Sequence, residues 1–340
     1  MKNLRILLFV CLAVVFSCEK NNIEGPSLND LYGELDIVEG LKIIGDSVDF
    51  ENNETLHFTA SFSKIVDWQI RIHGLTSGSV KIISGKSNQI NLSNSRWDGS
   101  STDLPFFVSN ENCNVELTFE AHDDIIESTV HIMSAKDYND ENTVLITDFD
   151  DGWNPNFGEF FNSGMVRKID DDGGAGQGTS YMVQESAPDG CPWDWLIGYV
   201  DYFSDFWFNE NTLINDPSQV YFNILVKGDS TISISDNVPN SMLKIEFYED
   251  ENGDGNHDAT SEDMYETGLI PVDWTGWRMI SIRYDDIENL PAAPSSQGDG
   301  IRKPNEVYNV RTLLLANPNS GFAKADVDFL IWSIGSPILN

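Results

Sequence analysis

The sequence predicts an all-β protein of two domains, an N-terminal immunoglobulin-like (PKD-like) sandwich followed by a β-jelly roll. Short runs in which apolar and polar residues alternate recur along the chain, for example at 56–62 and 115–119. This period of two is typical of strands that have one buried face. Turn residues separate the runs, and apolar residues at helical spacing do not persist over a dozen residues anywhere.

The first domain is predicted to cover residues 31–136. Its expected strands, about as many as an immunoglobulin-like sandwich needs, lie at 35–39, 56–62, 68–73, 80–84, 104–108, 115–121 and 125–133. The polar segment 136–142 has no periodicity and marks the boundary. The second domain, residues 143–340, has expected strands at 181–185, 196–200, 220–226, 243–248, 278–283, 310–316 and 326–334. So many spaced strands in one domain favour a two-sheet jelly roll.

The N-terminus has the pattern of an export signal. Lys2 and Arg5 precede an apolar run at 6–16, which is too short to span a bilayer, since a spanning helix needs ~20 residues. Residues 1–17 are therefore predicted to be a signal peptide. The segment from Val15 to Cys18 resembles the lipobox of bacterial lipoproteins, which implies a lipid on Cys18 and a polar tether at 18–30. An ordinary signal peptide with a chance cysteine is the alternative.

The charge of the chain excludes one class of partner. Asp and Glu number 55 against 20 Lys and Arg, a formal net charge of −35. Nucleic acids and anionic lipid headgroups are bound by Lys and Arg that neutralise phosphate, so neither is expected as a partner. Contact with a membrane is expected through the lipid anchor alone.

An acidic segment in the second domain predicts a calcium site. Oxygen-bearing side chains at alternate positions of a turning loop can converge on one ion, and glycine allows the sharp bend. The predicted ligands are Asp250, Asn252, Asp254, Asn256, Asp258 and Glu262. A well-solvated acidic hairpin loop is the alternative interpretation.

Most of the nine tryptophans also fall in the second domain. Flat aromatic rings can bury the apolar face of a sugar while polar neighbours bind its hydroxyls. The residues predicted to face such a ligand are Trp153, Trp193, Trp195, Tyr202 and Trp207. Large aromatics that simply fill a broad β core are the alternative.

Catalysis is not expected. His257 is the one histidine after residue 143, and it lies in the acidic loop, so a Ser-His-Asp or Cys-His arrangement there would lack its base. Carboxylate pairs are too numerous to exclude a glycosidase by counting. A lipid-anchored glycoside hydrolase or polysaccharide lyase of jelly-roll fold therefore remains an alternative, as does a structural or adhesion lipoprotein that binds other proteins.

The motifs together resemble the surface glycan-binding lipoproteins of Bacteroidota polysaccharide-utilisation systems, whose terminal domains resemble jelly-roll carbohydrate-binding modules. The resemblance rests on the lipobox, the immunoglobulin-like spacer and the motifs at 148–150, 248–255, 274–278 and 327–329. It implies a non-catalytic protein of the outer membrane that faces the cell surface and captures a polysaccharide. It also implies a neighbouring outer-membrane glycan transporter as a partner.

Overall fold

The computed structural model describes residues 34–120, 122–162, 165–187, 196–206, 213–234, 238–287, 298–317 and 322–339. Within these ranges the chain forms strands and three short 3₁₀ helices, Ser204–Phe206, Tyr284–Asp286 and Pro304–Glu306, which confirms the all-β prediction. A helix of the length and apolarity needed to cross a membrane does not occur in them.

Six strands form the first domain, and they are hydrogen-bonded into one sheet. They are β1 (Ile37–Ile44), β2 (Ser47–Asp49), β3 (His57–Gly74), β4 (Val80–Ile90), β5 (Glu111–Phe119) and β6 (His122–Ser134). Their order is β1-β3-β5-β6-β2, with β4 also pairing with β3. The sequence predicted an immunoglobulin-like sandwich. In the structure the six strands are hydrogen-bonded into one continuous sheet, and their buried apolar residues form one cluster.

Strand β3 explains this continuity. The sequence predicted two strands at 56–62 and 68–73, whereas β3 is a single strand of 18 residues. Its first part pairs with β1, and after a register irregularity between Ser61 and Val66 its second part pairs with β4 and β5. The segment 104–108, predicted as a strand, is irregular in the described structure. Pro105 within it has no N–H to donate to a sheet.

The second domain is built from two six-stranded sheets and one two-stranded sheet, which pairs its seventh strand with its eighth. Its strands are β7 (Thr143–Thr147), β8 (Gly158–Phe161), β9 (Val166–Asp170), β10 (Tyr181–Glu185), β11 (Leu196–Phe203), β12 (Val220–Gly228), β13 (Ser233–Ile234), β14 (Val238–Pro239), β15 (Ser241–Glu249), β16 (Met264–Glu266), β17 (Ile270–Pro271), β18 (Gly276–Arg283), β19 (Val307–Ala316) and β20 (Asp326–Ile334). The β20 sheet has the order β18-β12-β20-β10-β9, and β7 pairs with β20. The β19 sheet has the order β16-β15-β19-β11-β8, and β17 pairs with β15.

An aromatic core joins the two sheets. Phe222 of β12 and Trp332 of β20 pack against Phe247 of β15, with ring centroids 5.2–5.6 Å apart, and all three are buried. Tyr284 closes the cluster at 5.7 Å from Phe247. Because side chains alternate along a strand, one face of each sheet supplies this core and the opposite face points away from it.

A smaller apolar cluster connects the two domains. Phe106 and Tyr138 come from the first domain and the boundary segment, and they pack against Phe329 of β20 with ring centroids 5.4–5.5 Å away. Leu225 and Ile331 complete the cluster, and all five residues are buried. The described parts of the two domains therefore share a packed interface.

Replacing Phe222 by Ala tests the core. The substitution removes a buried ring that contacts both Phe247 and Trp332, so we expect the free energy of unfolding to fall by about 3–5 kcal/mol. Urea denaturation measures the change. Phe160→Ala removes the same ring at a site that is 43% exposed and should cost under about 1 kcal/mol; equal losses in the two variants would contradict this assignment of the core.

Candidate ligand-binding face

The outward face of the β19 sheet, called here the outer face, combines aromatic and charged side chains. Strand register places residues of neighbouring strands side by side in three rows. The first row contains Phe160, Tyr199, Leu313 and Lys244. The second contains Asp201, Arg311, Glu246 and Glu266. The third contains Phe203, Asn309, Tyr248 and Met264.

Arg311 is the centre of this face. Its Nε donates to Asp201 Oδ1 at 2.7 Å and its Nη2 to Asp201 Oδ2 at 3.0 Å, a two-point ion pair. Asn309 Nδ2 donates to the same carboxylate at 2.6 Å. Asp201 is only 6% exposed, and such charge-assisted pairs are stronger and more directional than neutral hydrogen bonds. The guanidinium is therefore held in one orientation.

Aromatic rings flank this guanidinium in a ladder that crosses four strands. The Arg311 guanidinium carbon lies 3.9 Å from the centre of the Tyr199 ring and 5.1 Å from that of Tyr248. On the other side of β11, Phe160 stacks on Tyr199 with centroids 5.5 Å apart and planes inclined by 25°. Cation–π and stacking contacts of this kind are each favourable by about 0.5–1.5 kcal/mol. Phe160 is the exposed end of the ladder.

Polar groups continue the face beyond Tyr248. Lys244 Nζ contacts Glu246 at 3.0 Å and also Glu266, while the Tyr248 hydroxyl donates to Glu246 Oε2 at 2.5 Å. The carboxylates of this face belong to Asp201, Glu246 and Glu266, and its cations are Arg311 and Lys244. The outer face is therefore close to neutral, although the whole chain has a net charge of −35.

The two cations and the Tyr248 phenol of the outer face keep their usual protonation states around neutral pH. Burial is the largest influence and acts to lower the pKa of Arg311, but the hydrogen bond to Asp201 together with the negative charges of Asp201 and Glu246 outweighs it and leaves the pKa raised. Lys244 behaves alike: its hydrogen bonds to Glu266 and Glu246 overcome burial and raise its pKa. Burial, reinforced by Glu246, raises the pKa of Tyr248. Both basic groups therefore remain charged and the phenol remains neutral.

The aromatic residues predicted from the sequence to face a ligand lie elsewhere. Tyr202 is fully buried in the core, so that prediction is wrong for Tyr202, because a ring without exposed surface cannot stack on a ligand. Trp153 is half-buried against the core, and Arg167 lies 3.8 Å from its ring centre. Trp193, Trp195 and Trp207 lie outside the described residues, as does Cys18.

The register of β11 explains why the outward residues were missed. Ile197, Val200 and Tyr202 all belong to the core, which simple alternation does not allow. A register irregularity between Leu196 and Gly198 changes which residues face inward. Tyr199 and Asp201 consequently lie on the outer face, and only the pairing with β19 reveals the change.

The acidic loop predicted to bind calcium connects β15 to β16. Asp250 accepts hydrogen bonds from three backbone N–H groups of the loop, those of Gly253, Asp254 and Gly255, at 2.7–3.1 Å. Glu262 accepts from the N–H groups of Asn252 and Asp258 at 3.2 and 2.6 Å. These bonds hold the loop in a compact turn. Calcium binding by Asp250, Asn252, Asp254, Asn256, Asp258 and Glu262 stays a prediction.

A different set of carboxylates converges at the base of this loop. Glu249 ends β15, Glu251 follows it, and Asp263 directly precedes β16; each offers an oxygen, and the three oxygens lie within 4.8 Å of one another. Burial raises the pKa of Glu249 to about 8. None of the three was in the predicted calcium set.

A cleft of about 650 Å³ lies between the two domains, lined by residues 105–109, 135–137, 173 and 175–179 among others. Its aromatic side chains, Phe106 and Phe107, are buried at 2% and 4% exposure. They offer little surface for stacking, so the outer face, with its exposed Phe160 ring, is the stronger candidate for a binding site.

Comparisons with known proteins found similar chains among solved structures alone. No protein-family model and no curated protein matches the sequence. Among solved structures, the family 11 carbohydrate-binding module of a cellulosomal cellulase of Clostridium thermocellum is 16% identical, covering 57% of this chain and 95% of the module, with a TM-score of 0.35.

Two further solved structures are similar at the same level. A family 11 module from Clostridium thermocellum in complex with a β-1,3-1,4-mixed-linked tetrasaccharide is 14% identical over 57% of this chain and 96% of the module, with a TM-score of 0.34. The second N-terminal cellulose-binding domain of a Cellulomonas fimi β-1,4-glucanase is 14% identical over 58% of this chain and 99% of that domain, with a TM-score of 0.30. At these TM-scores none of the similarities identifies a ligand for this chain.

Replacing Arg311 by Met tests the central ion pair. The substitution leaves the poorly exposed Asp201 carboxylate without its cation, so we expect the free energy of unfolding to fall by about 1–3 kcal/mol, measured by urea denaturation. Lys168→Met, which breaks a surface pair with Asp170 at a lysine side chain 55% exposed, is the matched control and should cost at most about 1 kcal/mol. Similar small losses in both variants would show that Arg311 does not organise the face.

Proposed function

We propose that this protein is a non-catalytic, lipid-anchored, polysaccharide-binding protein that holds its ligand on the outer face of the β19 sheet. One observation carries the proposal. The exposed ring of Phe160 stands at the end of a rigid ladder of Tyr199, Arg311 and Tyr248, with hydrogen-bonding groups of both kinds beside it.

The chemistry of the face suits a sugar chain. The apolar C–H side of a pyranose packs against an open aromatic ring, and its hydroxyls need both donors and acceptors. Phe160 supplies the ring, Arg311 and Lys244 supply donors, and Glu246 and Glu266 supply acceptors. A shallow, open sheet surface also allows a long polymer to pass beyond the site at both ends.

Charge favours a neutral polysaccharide. The outer face is nearly balanced, but the protein around it is strongly acidic, with a net charge of −35. A sulfated or uronic polymer that extends beyond the face would be repelled over a Debye length of ~8–10 Å. Neutral glucans, xylans and similar chains escape this repulsion.

Rigidity of the face supports binding over a purely structural role for these residues. Side chains that are already fixed by neighbours lose little conformational entropy when a ligand arrives. Arg311 is held by Asp201 and by two rings, and Lys244 by two carboxylates. A ligand on this face would therefore require little rearrangement of these side chains, which supports the proposal.

The N-terminal sequence supports the cellular part of the proposal. Cleavage after residue 17 and lipidation of Cys18 would anchor the chain in the outer membrane, and the tether 18–30 followed by the first domain would hold the outer face away from the lipid surface. At the cell surface, the protein would capture polysaccharide for a neighbouring outer-membrane transporter.

Replacing Phe160 by Ala tests the glycan site. Loss of the open ring should weaken binding to the preferred neutral polysaccharide by about tenfold, ~1.4 kcal/mol, with little change in the melting temperature. Affinity gel electrophoresis against a panel of plant and algal polysaccharides measures retention. Ile301→Ala removes an exposed apolar side chain that is not part of the outer face and should bind like the wild type.

Two results would contradict the proposal. If polysaccharide retards the Phe160→Ala variant as strongly as the wild type, binding lies elsewhere. If no polysaccharide retards the wild type but the wild type captures a protein partner, the adhesion alternative is favoured. New reducing ends after incubation with the retained polysaccharide would favour the hydrolase or lyase alternative, because cleavage of a glycosidic bond creates a reducing end. Glu246 and Glu266, which lie side by side on the face, would then be the carboxylate pair to test.

Replacing Cys18 by Ala tests the anchor. Without the acylated cysteine, the protein should move from the membrane fraction to the soluble fraction after cell fractionation, since its attachment depends on buried acyl chains. Ser17→Ala keeps a small residue before the cysteine and should leave the protein in the membrane fraction. A Cys18→Ala variant that still sediments with membranes would rule out lipid anchoring at this residue.

A further inference from the structure

We propose that Glu249, Glu251 and Asp263 form a calcium site at the base of the β15–β16 loop. One oxygen from each carboxylate lies within 4.8 Å of the others, which is close enough for a single ion between them to contact all three. Glu249 ends β15, Glu251 follows it and Asp263 directly precedes β16, so pairing of these two strands brings the three residues together.

An unsatisfied oxygen of Glu249 points to a missing ligand. Glu249 is fully buried, and its Oε1 accepts hydrogen bonds from the Tyr284 hydroxyl at 2.8 Å and from the Lys303 N–H at 2.7 Å. Its Oε2 is also buried, yet it has no hydrogen-bond partner among the described residues. A buried carboxylate oxygen without a donor is costly, and a coordinated cation removes that cost.

Protein cations do not balance the charge here. Lys303 Nζ is shared among Glu251 at 3.2 Å, Asp299 at 2.9 Å and Glu306 at 3.3 Å. Among the described residues, no lysine, arginine or histidine nitrogen forms an ion pair with Glu249 or Asp263. One ammonium thus serves three other acids, and a cation between Glu249 and Asp263 would supply the positive charge that favours their ionised forms.

The donor set selects calcium. All three side chains offer hard oxygen ligands, which suit Ca²⁺ and Mg²⁺ and do not favour the transition metals that prefer imidazole or thiolate. Calcium accepts six to eight oxygens in variable geometry, so carboxylates, backbone carbonyls and water can complete the shell. Magnesium demands a near-ideal octahedron and dehydrates reluctantly, which a site made of three side chains from two strand ends does not favour.

The ion would fix the end of the outer face. Asp263 Oδ2 accepts from the N–H of Gly300 at 2.6 Å, and Glu249 accepts from Lys303, so both carboxylates already bind the segment that leads into β19. Glu249 also directly follows Tyr248, the last member of the aromatic ladder. Calcium would therefore join β15, β16 and the approach to β19.

Terbium luminescence and thermal unfolding of the full mature chain test this site without any polysaccharide, so the result is independent of glycan binding. Terbium replaces calcium and is excited by nearby tyrosines. The Tyr284 hydroxyl donates a hydrogen bond to Glu249, and the Tyr265 hydroxyl donates one to Asp263. We expect sensitised terbium emission that calcium displaces, and a melting temperature about 5 °C higher in millimolar calcium than in chelator. Magnesium at the same concentration should give a much smaller shift.

Paired variants assign the ion to its ligands. Glu251→Gln and Asp263→Asn should abolish most of the calcium-dependent shift and of the terbium emission. Asp254→Asn and Asp258→Asn, in the loop itself, should keep both. If the wild type shows no calcium-dependent shift, or if the loop variants lose it while Glu251→Gln and Asp263→Asn retain it, the proposal is wrong. Glu251 is less buried than Asp263, and its carboxylate pairs with Lys303. The Glu251→Gln variant should therefore fold even if Asp263→Asn does not.

Discussion

The packed aromatic interior between the two sheets of the second domain is the constraint on which the rest of its structure depends. Phe222 and Trp332 from one sheet meet Phe247 from the other. Since successive side chains of a strand point to opposite faces, burial of Phe247 forces Glu246 and Tyr248 outward. Burial of Val310 and Thr312 does the same for Arg311. The core thereby determines which residues a ligand can reach.

Order on the outer face comes from contacts between strands that are distant in sequence. Arg311 and Asp201 are 110 positions apart. The Arg311 guanidinium also contacts the ring of Tyr199, on the same strand as Asp201, and the ring of Tyr248, on β15. A lone arginine on a β surface would sample many rotamers. Here folding has already removed that freedom, so the entropic cost is met when the protein folds and not when a ligand binds.

Charge is distributed unevenly in this acidic protein, and the distribution separates two kinds of surface. On the outer face, Arg311 and Lys244 nearly balance three carboxylates, which leaves hydrogen-bonding capacity without a strong field. At the base of the β15–β16 loop, Lys303 is already shared among three acids, and Glu249 and Asp263 are buried without a protein cation. The first arrangement suits a neutral polar ligand and the second suits a divalent ion.

The sequence by itself determined the all-β class and the position of most strands. The predicted strands at 181–185 and 326–334 coincide with β10 and β20, because short runs rich in β-branched and aromatic residues are a local signal. Which aromatic residues face outward was decided only by tertiary structure. The irregularity near the start of β11 turns Tyr202 into the core and Tyr199 towards the outer face, and it depends on pairing with β19. Convergence of Glu249, Glu251 and Asp263 likewise requires β15 and β16 to pair, since contacts between strands are set by register, which no local pattern encodes.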